Sequence, residues 1–574
     1  MVLPPPIAPK IDSCRCLLQG QAKILADRLY SSDGPPLGTS FAEIERVVSS
    51  VGREVQKRLL DLLLIRQAEA MHRRLPEEFC RCPSCQQETV TRDPEPRVLH
   101  TRSTTVEWLE PHRYCGRCRK AFFPQSKLLG IDLGHYSTAL LDLIVYAGAN
   151  KTSFREASLD LQKMGGQTVH EKQVERLTKR IGLERLAERQ AEVEQFVGQP
   201  LLDRCARTPV GVSAPDDEYV AVVMADAGML QLRHAPAKAD EAEDAMGADA
   251  ADVGDADTTA DEEDDRDKPP AGRHWREDKV GLVLTMRSDV TETDPCPHVP
   301  ETFIDPQRVA KIVRGLKKSA TWSVEDAADT ESPGESRSEE TVEEIAYEGP
   351  KLETRRVAAS RKSWPVFGVM LACMAWGAGF AKANRKAFIA DGARSIWRVW
   401  KSRFSSYVPV LDFIHAMSYV YAAAKAVGGT DADAGWRLYA EWIQGVWEGN
   451  VREVIEYLQK WQADRGQPEK GETSDRGVVA KSLRYLKNNQ EKMKYAEYRK
   501  QGLPLVSSLM ESMVKQVSRR VKGTEKFWGE EGAEAALQLR ADYLSDGEVM
   551  ENFWQRRQSA ATGQRQYRKQ AQPV

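Results

Sequence analysis

A chain of 574 residues is longer than one ordinary hydrophobic core fills, and at about 100–200 residues per domain it predicts three to five units. Apolar residues make up 41% of it, enough for buried cores, yet no uninterrupted apolar run approaches the ~20 residues of a membrane-spanning helix, so no membrane partner is expected. The net charge of −3 conceals an asymmetry: Asp240 to Asp267 carries −13 and Glu325 to Glu348 carries −9, which leaves +19 on the rest of the chain, the sign of a protein that grips phosphates.

The N-terminus, Met1-Val2-Leu3-Pro4-Pro5-Pro6, lacks the basic-then-apolar pattern of a secretion signal, which predicts a reducing cytoplasm and ten cysteines outside disulfides. From Phe41 to Arg74, Ile44, Val47, Val51, Val55, Leu59, Leu62 and Leu63 recur at helical spacing and predict one or two long helices within a helical region, 1–76. A cysteine-rich module, 77–125, follows. Its Cys82-Pro83-Ser84-Cys85 and Cys115-Gly116-Arg117-Cys118 form two Cys-x-x-Cys knuckles, and four thiolates at this spacing suit a structural, tetrahedral Zn²⁺ of zinc-ribbon type, with Cys80, His100 and His112 as spare ligands. The 29-residue gap between the knuckles is longer than usual and calls for a long hairpin, in keeping with the strand character of 104–114. Arg117, Arg119 and Lys120, with Arg113, would suit a DNA-facing surface there.

Between 130 and 200, helical stretches are broken at Met164-Gly165-Gly166-Gln167, and Thr168 is placed to cap a helix bearing Val174, Leu177 and Ile181, a pattern that resembles a helix-turn-helix. Lys172, Arg176, Lys179 and Arg180 on that helix are candidate DNA contacts. At Tyr219 the period changes, and short β-branched runs predict strands at 219–223, 279–286, 387–390 and 408–411. The acidic stretches between them, 236–271 and 323–354, are too polar and too poor in aromatics to offset ordering entropy and read as disordered loops. A helical region, 413–498, comes next. Trp397, Trp400, Trp436, Trp442 and Trp447 are spaced for helix packing, and the chain closes on a basic tail, 546–574.

Two of the strands run into a carboxylate followed by small residues: Met224-Ala225-Asp226-Ala227-Gly228 and Ile389-Ala390-Asp391-Gly392-Ala393. Aspartates on neighbouring strands can converge on a hard cation, and small residues after them leave room for a nucleic-acid backbone. Either aspartate alone reads as a turn residue; the pair argues for a site. Glu511 lies at the border of a helical stripe formed by Val506, Met510, Met513, Val514 and Val517, where a carboxylate can point along the core boundary. Asp412 reads as the N-cap of a helix with His415 in its first turn. Lys515, Arg519 and Arg520, downstream of Glu511, are further candidates for DNA contact.

With these residues in view, the chain resembles the DDE transposases of bacterial insertion sequences, in particular the ISKra group, akin to the Mutator-like transposases. The resemblance spans most of the chain and is carried by Phe388 to Trp397, by Leu411-Asp412-Phe413-Ile414-His415-Ala416, and by Gly502-Leu503-Pro504 to Glu511 with Lys522-Gly523-Thr524-Glu525-Lys526-Phe527-Trp528 and Leu539-Arg540. It implies an α/β chain whose RNase H-like catalytic core, 215–545, holds a helical insertion and is preceded by helical, zinc-ribbon and helix-turn-helix modules. It also implies catalytic roles for Asp226, Asp391 and Glu511 as ligands of Mg²⁺ or Mn²⁺, with Asp412 and His415 as accessory residues. The implied activity is metal-dependent cleavage and strand transfer at the ends of the element. The implied partners are double-stranded DNA, as terminal inverted repeats and target, and further copies of the chain on DNA in the bacterial nucleoid. The chain departs from the family at Val506-Ser507-Ser508, where Gly-Ser-Gly is usual, and glycine there would permit a turn that valine or serine resists. The competing class is a decayed or domesticated transposase that binds DNA without cutting it; retention of all three acids favours the enzyme.

Overall fold

The computed structural model describes residues 19–20, 35–131, 134–233, 274–320, 349–469, 471–523 and 526–564, without the side chains of 72 and 317–320. Both acidic segments expected to be disordered lie almost wholly outside the described residues. The chain divides into two compact units, Met1–Thr178 with Glu548–Val574, and Lys179–Gly547.

The first unit opens on α1 (Phe41–Arg73), started by a capping box in which the Ser40 hydroxyl accepts from Glu43 N–H and the Glu43 carboxylate accepts from Ser40 N–H. It is one helix. The predicted stripe is not its packed face: Leu60, Leu64 and Ala68 meet Leu99, Val106 and Trp108, while Leu63 stays exposed. Strands β1 (Val90–His100), β2 (Thr105–Cys115) and β3 (Lys120–Phe122) form an antiparallel sheet in that order. Helices α2 (Thr138–Asn150) and α3 (Phe154–Gly165) are capped by Ser137 and Ser153, and α3 ends on Gly166 in the left-handed conformation, φ 62°. The following helix, α4 (Glu171–Val197), begins later than Thr168 would place it. Lys172 N–H donates to His170 Nδ1 at 3.2 Å, so the histidine occupies the capping position and Thr168 stands upstream.

The second unit is built on a mixed sheet. Its strands are β4 (Tyr219–Leu232), β5 (Trp275–Arg287), β6 (Lys351–Ser360), β7 (Arg385–Ala390) and β8 (Val408–Leu411), in the order β6-β5-β4-β7-β8; β9 (Phe527–Trp528) pairs with the far end of β4. The β6-β5-β4 half is antiparallel and the β4-β7-β8 half parallel. Side chains alternate across it, as a period of two requires. Val220, Val222 and Met224 join one apolar cluster with the later helices; Ala221, Val223 and Ala225 join another with α5 (Trp364–Gly377) and α6 (Arg394–Arg403). The strand β6 overturns part of the expected acidic loop 323–354, because Lys351 to Thr354 already pair with β5. Its exposed first half, Lys-Leu-Glu-Thr-Arg, hides the strand from a reading based on apolar runs.

Four helices follow β8: α7 (Phe413–Gly428), α8 (Ala432–Glu448), α9 (Val451–Arg465) and α10 (Asp475–Asn489). Trp442 and Trp447 are buried among them, and Trp397, Trp400 and Trp436 pack at core edges. The chain returns to the sheet through α11 (Ser508–Val521), β9 and α12 (Glu530–Leu544). The predicted basic tail contains a helix, α13 (Val549–Ser559), with Met550, Phe553 and Trp554 buried in the first unit. Among the described residues no helix is long and apolar enough to cross a membrane.

Candidate functional site

The two knuckles are brought together by the hairpin between them. Val90 at the start of β1 pairs with Tyr114 at the end of β2, so the strands run out and back, and Cys115 returns beside the Cys82–Cys85 turn. A 29-residue gap therefore costs no separation. The Sγ atoms of Cys82, Cys85, Cys115 and Cys118 all lie within 4.8 Å of one another, the Cys85–Cys115 pair at 3.6 Å. Tetrahedral zinc with Zn–S near 2.3 Å requires S–S separations of about 3.8 Å, so the four cysteines can hold a zinc ion. Burial raises the Cys82 thiol, but N–H donation from Ser84 and Cys85 prevails and holds it down at about 7. Cys118 is pushed up to about 12 by the thiols of Cys85, Cys82 and Cys115. Cys80, His100 and His112 stand outside the cluster; His100 meets Thr105 Oγ1, and His112 faces Glu95.

The second constellation lies on one face of the mixed sheet. Met224 of β4 pairs with Ile389 of β7, and two more residues along each strand bring Asp226 level with Asp391. Both face the side of Val222 and Met224, towards α7 and α11. Asp226 does not end its strand, as expected, because β4 stays paired with β5 as far as Gln231. What ends there is the partner: β7 stops at Ala390, and among the described residues β4 has no second neighbour until Phe527 meets Gln231. Asp391 Oδ1 accepts from Ala393 N–H at 2.9 Å, and Asp226 Oδ1 from Ala227 N–H at 2.7 Å. Gly392, at φ 104°, turns the chain after Asp391. Its missing Cβ would stand 2.6 Å from the Tyr485 ring, whose hydroxyl donates to Asp391 O. The space expected for a nucleic-acid backbone at Gly392 is filled by α10.

Glu511 sits in the first turn of α11, half-buried, with Lys515 Nζ at 3.6 Å. Burial, then the charge of Asp391, and more weakly that of Glu511, push Asp226 up to about 7, against Ala227 N–H and His415. The three acids thus share one field. They are not drawn as close as the thiolates: among the described residues the four cysteines are the one group of three or more potential ligands that closes to 4.8 Å.

Asp412, wholly buried, ties this site together. Its N–H donates to Ala390 O, next to Asp391, and its carboxylate accepts from Ile414 N–H, His415 Nδ1, and both the N–H and the hydroxyl of Ser507. Burial opposes its ionisation, but these donors hold it below the ordinary carboxylate range. His415 answers in kind: burial lowers it, while Asp412, then Asp391 and Asp226, raise it to about 9. The site therefore carries a resident cation at neutral pH. Residues 506–508 need no glycine, since none of them has a positive φ, and Ser507 instead supplies the link to Asp412. Its role escapes a sequence reading because its partner lies 95 residues away.

The basic candidates divide. Arg117, Arg119, Lys120, Lys172, Arg176 and Arg519 are exposed. Lys179 pairs with Glu531 at 2.8 Å, Arg180 with Glu184 at 3.7 Å, and Lys515 with Glu511. Arg520 cannot face DNA: it is buried on the Met513–Val517 side of α11, with its guanidinium over the Trp528 ring. Arg113 is engaged by Thr89 and Thr91 across the hairpin. No protein-family model matches the chain, and no curated protein sequence matches it either.

Proposed function

We propose that the protein is a DNA transposase of the DDE type, which binds the ends of its insertion sequence and catalyses strand cleavage and strand transfer. The observation that carries this reading is the level placement of Asp226, on β4, and Asp391, one residue past the end of the parallel neighbour β7, with Glu511 and the His415 cation on the same face. Support for an RNase H-like core comes from a sheet with an antiparallel and a parallel half, with the acids where the halves meet, and from the helices between Asp391 and Glu511.

A buried carboxylate raised by the charges of two others suits a divalent cation. Two Mg²⁺ or Mn²⁺ ions, when bound, supply an activated water or 3′-hydroxyl and stabilise the leaving oxygen. Asp226 and Asp391 would hold them from the sheet and Glu511 from α11. Asp412 orients His415, whose imidazolium would meet the scissile phosphate. Cys82, Cys85, Cys115 and Cys118 would hold a structural Zn²⁺, with Arg117, Arg119 and Lys120 on the surface beside it for DNA.

Purified protein incubated with supercoiled DNA carrying the element's ends and Mg²⁺ should nick or cut at those ends. End binding without cleavage, in wild type and with Mn²⁺ as well, would replace this reading with that of a decayed transposase acting as a DNA-binding protein.

A further inference from the structure

The helix α6 opens three residues after Asp391, and its outer face carries Arg394, Arg398 and Lys401 at the i, i+4 and i+7 spacing of a single stripe. All three are exposed, while Ile396 and Val399 pack into the core from the other side. The helix α10 adds Lys481, Arg484 and Lys487, exposed on the side away from its buried Val479, Ser482 and Leu486. The two helices meet beside Asp391: Trp397 Nε1 donates to Asn489 Oδ1 at 3.0 Å, Asn489 Nδ2 donates to Tyr485 O at 3.0 Å, and the Tyr485 hydroxyl donates to Asp391 O at 2.6 Å. Lys492 Nζ, just past α10, stands 4.9 Å over the Trp397 ring and puts a further cation in the seam.

The ordinary account of exposed lysines and arginines is a solvated helix face, which mixes signs and gains from i, i+4 ion pairs. These faces do not mix signs: no acidic residue occurs from Gly392 to Leu411 or from Arg476 to Gln490. Among the described residues the side chains of Arg394, Arg398, Lys401, Lys481 and Lys487 have neither an ion pair nor a hydrogen bond. Helix stability does not call for them all, since Arg394 stands in the first turn of α6, where the helix dipole disfavours a cation. A row of unanswered cations suits a polyanion of regular spacing. From Arg394 to Lys401 is about 10 Å of helix, the axial length over which one strand of a duplex presents about three phosphates.

We propose that the outer faces of α6 and α10 are a phosphate track, which holds double-stranded DNA against the catalytic unit by its backbone, whatever its base sequence. Contacts from Lys and Arg to phosphate fix position without reading bases, so this grip is separate from recognition of the element's ends. The inference rests on the reading of Asp391 as part of a DNA-processing site.

The test measures binding of the full chain, in EDTA, to a duplex of random sequence lacking the element's ends, between about 50 and 200 mM salt. Arg394→Gln, Arg398→Gln and Lys401→Gln combined should weaken binding at least about tenfold and flatten the slope of log K against log salt by about 2–3, since each phosphate contact contributes about 0.9. A control removes the same charge from exposed positions of α8 and α9, by Arg437→Gln, Arg452→Gln and Lys460→Gln, and should change binding less than about twofold. Wild-type affinity and slope in the α6 variant, an equal loss in the control, or a wild type that binds no random duplex would overturn the track. Without any variant, bound duplex should shield Lys401, Lys481 and Lys487 of the wild type from acetylation and leave Lys460 reactive; equal labelling with and without DNA would overturn it even if the α6 variant failed to fold. If the track binds as expected but wild type never cuts the element's ends with Mg²⁺ or Mn²⁺, the track stands and the transposase reading falls.

Discussion

Asp226 must carry its charge beside Asp391 and Glu511 once the pH passes about 7. A carboxyl whose folded value lies above its ordinary one of 3.8 keeps its proton in the fold across that window, so its contribution to stability falls as pH rises from about 4 through 7. Asp226→Asn should therefore raise the melting temperature at pH 8 and leave it unchanged at pH 4. Millimolar Mg²⁺ should raise the wild-type melting temperature more at pH 8 than at pH 5, and scarcely in the variant. Equal shifts at both pH values would remove the electrostatic account of the site. For catalysis, Asp226→Ala, Asp391→Ala and Glu511→Ala should each reduce strand cleavage by orders of magnitude while end binding persists, because each removes a ligand and none belongs to the zinc module or the helices expected to recognise the ends. Glu497, exposed on the short helix Tyr495–Lys500, supplies the control. If Glu497→Ala abolished cleavage and Glu511→Ala did not, the assignment of the third acid would be wrong.

Among the elements, α11 and the β1–β2 hairpin have the clearest tasks. The link from Ser507 to Asp412 joins the start of α11 to the segment after β8, so Ser507→Ala should lower stability by about 1–3 kcal/mol, the cost of leaving a buried carboxylate short of a donor, and should lower metal affinity as well. Chemical denaturation with and without Mn²⁺ reads both; a loss of stability with unchanged affinity would make the link merely structural. The hairpin converts two distant knuckles into one cluster, and about one zinc per chain is expected by elemental analysis. Chelation should cost the module its fold, whereas protein purified without chelator and free of zinc would exclude a structural metal. The strand β4 shows why element ends resist prediction. Its apolar run stops at Ala225, but its pairing with β5 carries it to Gln231, through residues whose local preference alone would let the chain turn.

At the scale of the molecule, the zinc module and the helices α2 and α3 fall in one compact unit, and the acids in the other. The segment between β4 and β5 leaves at Leu232 and returns at Trp275, whose register partner is Gln231, so its two ends meet on adjacent strands. Replacing 236–271 by a short turn should accordingly leave the sheet and its melting temperature intact, as circular dichroism would show, and strengthen binding to DNA by removing a block of negative charge. A variant that failed to fold would assign that segment a structural role.

The sequence alone sufficed wherever a property is carried by neighbours along the chain. Cys-x-x-Cys pairs, the alternation of buried strands and the order of acids, helices and inserts all arise from local spacing, which dihedral geometry translates into faces and turns without help from distant residues. It could not say which face of α1 would be buried, that Lys351 to Thr354 form a strand, or that Arg520 would turn inward onto Trp528, because burial is a property of what lies opposite. The same holds for the site. Asp226, Asp391 and Glu511 could be singled out as candidates from their flanking residues, but their shared field and the Ser507–Asp412–His415 chain exist only where segments remote in sequence share a low-dielectric interior. In such an interior a charge is governed by its distance to other charges in space, not by its place in the chain.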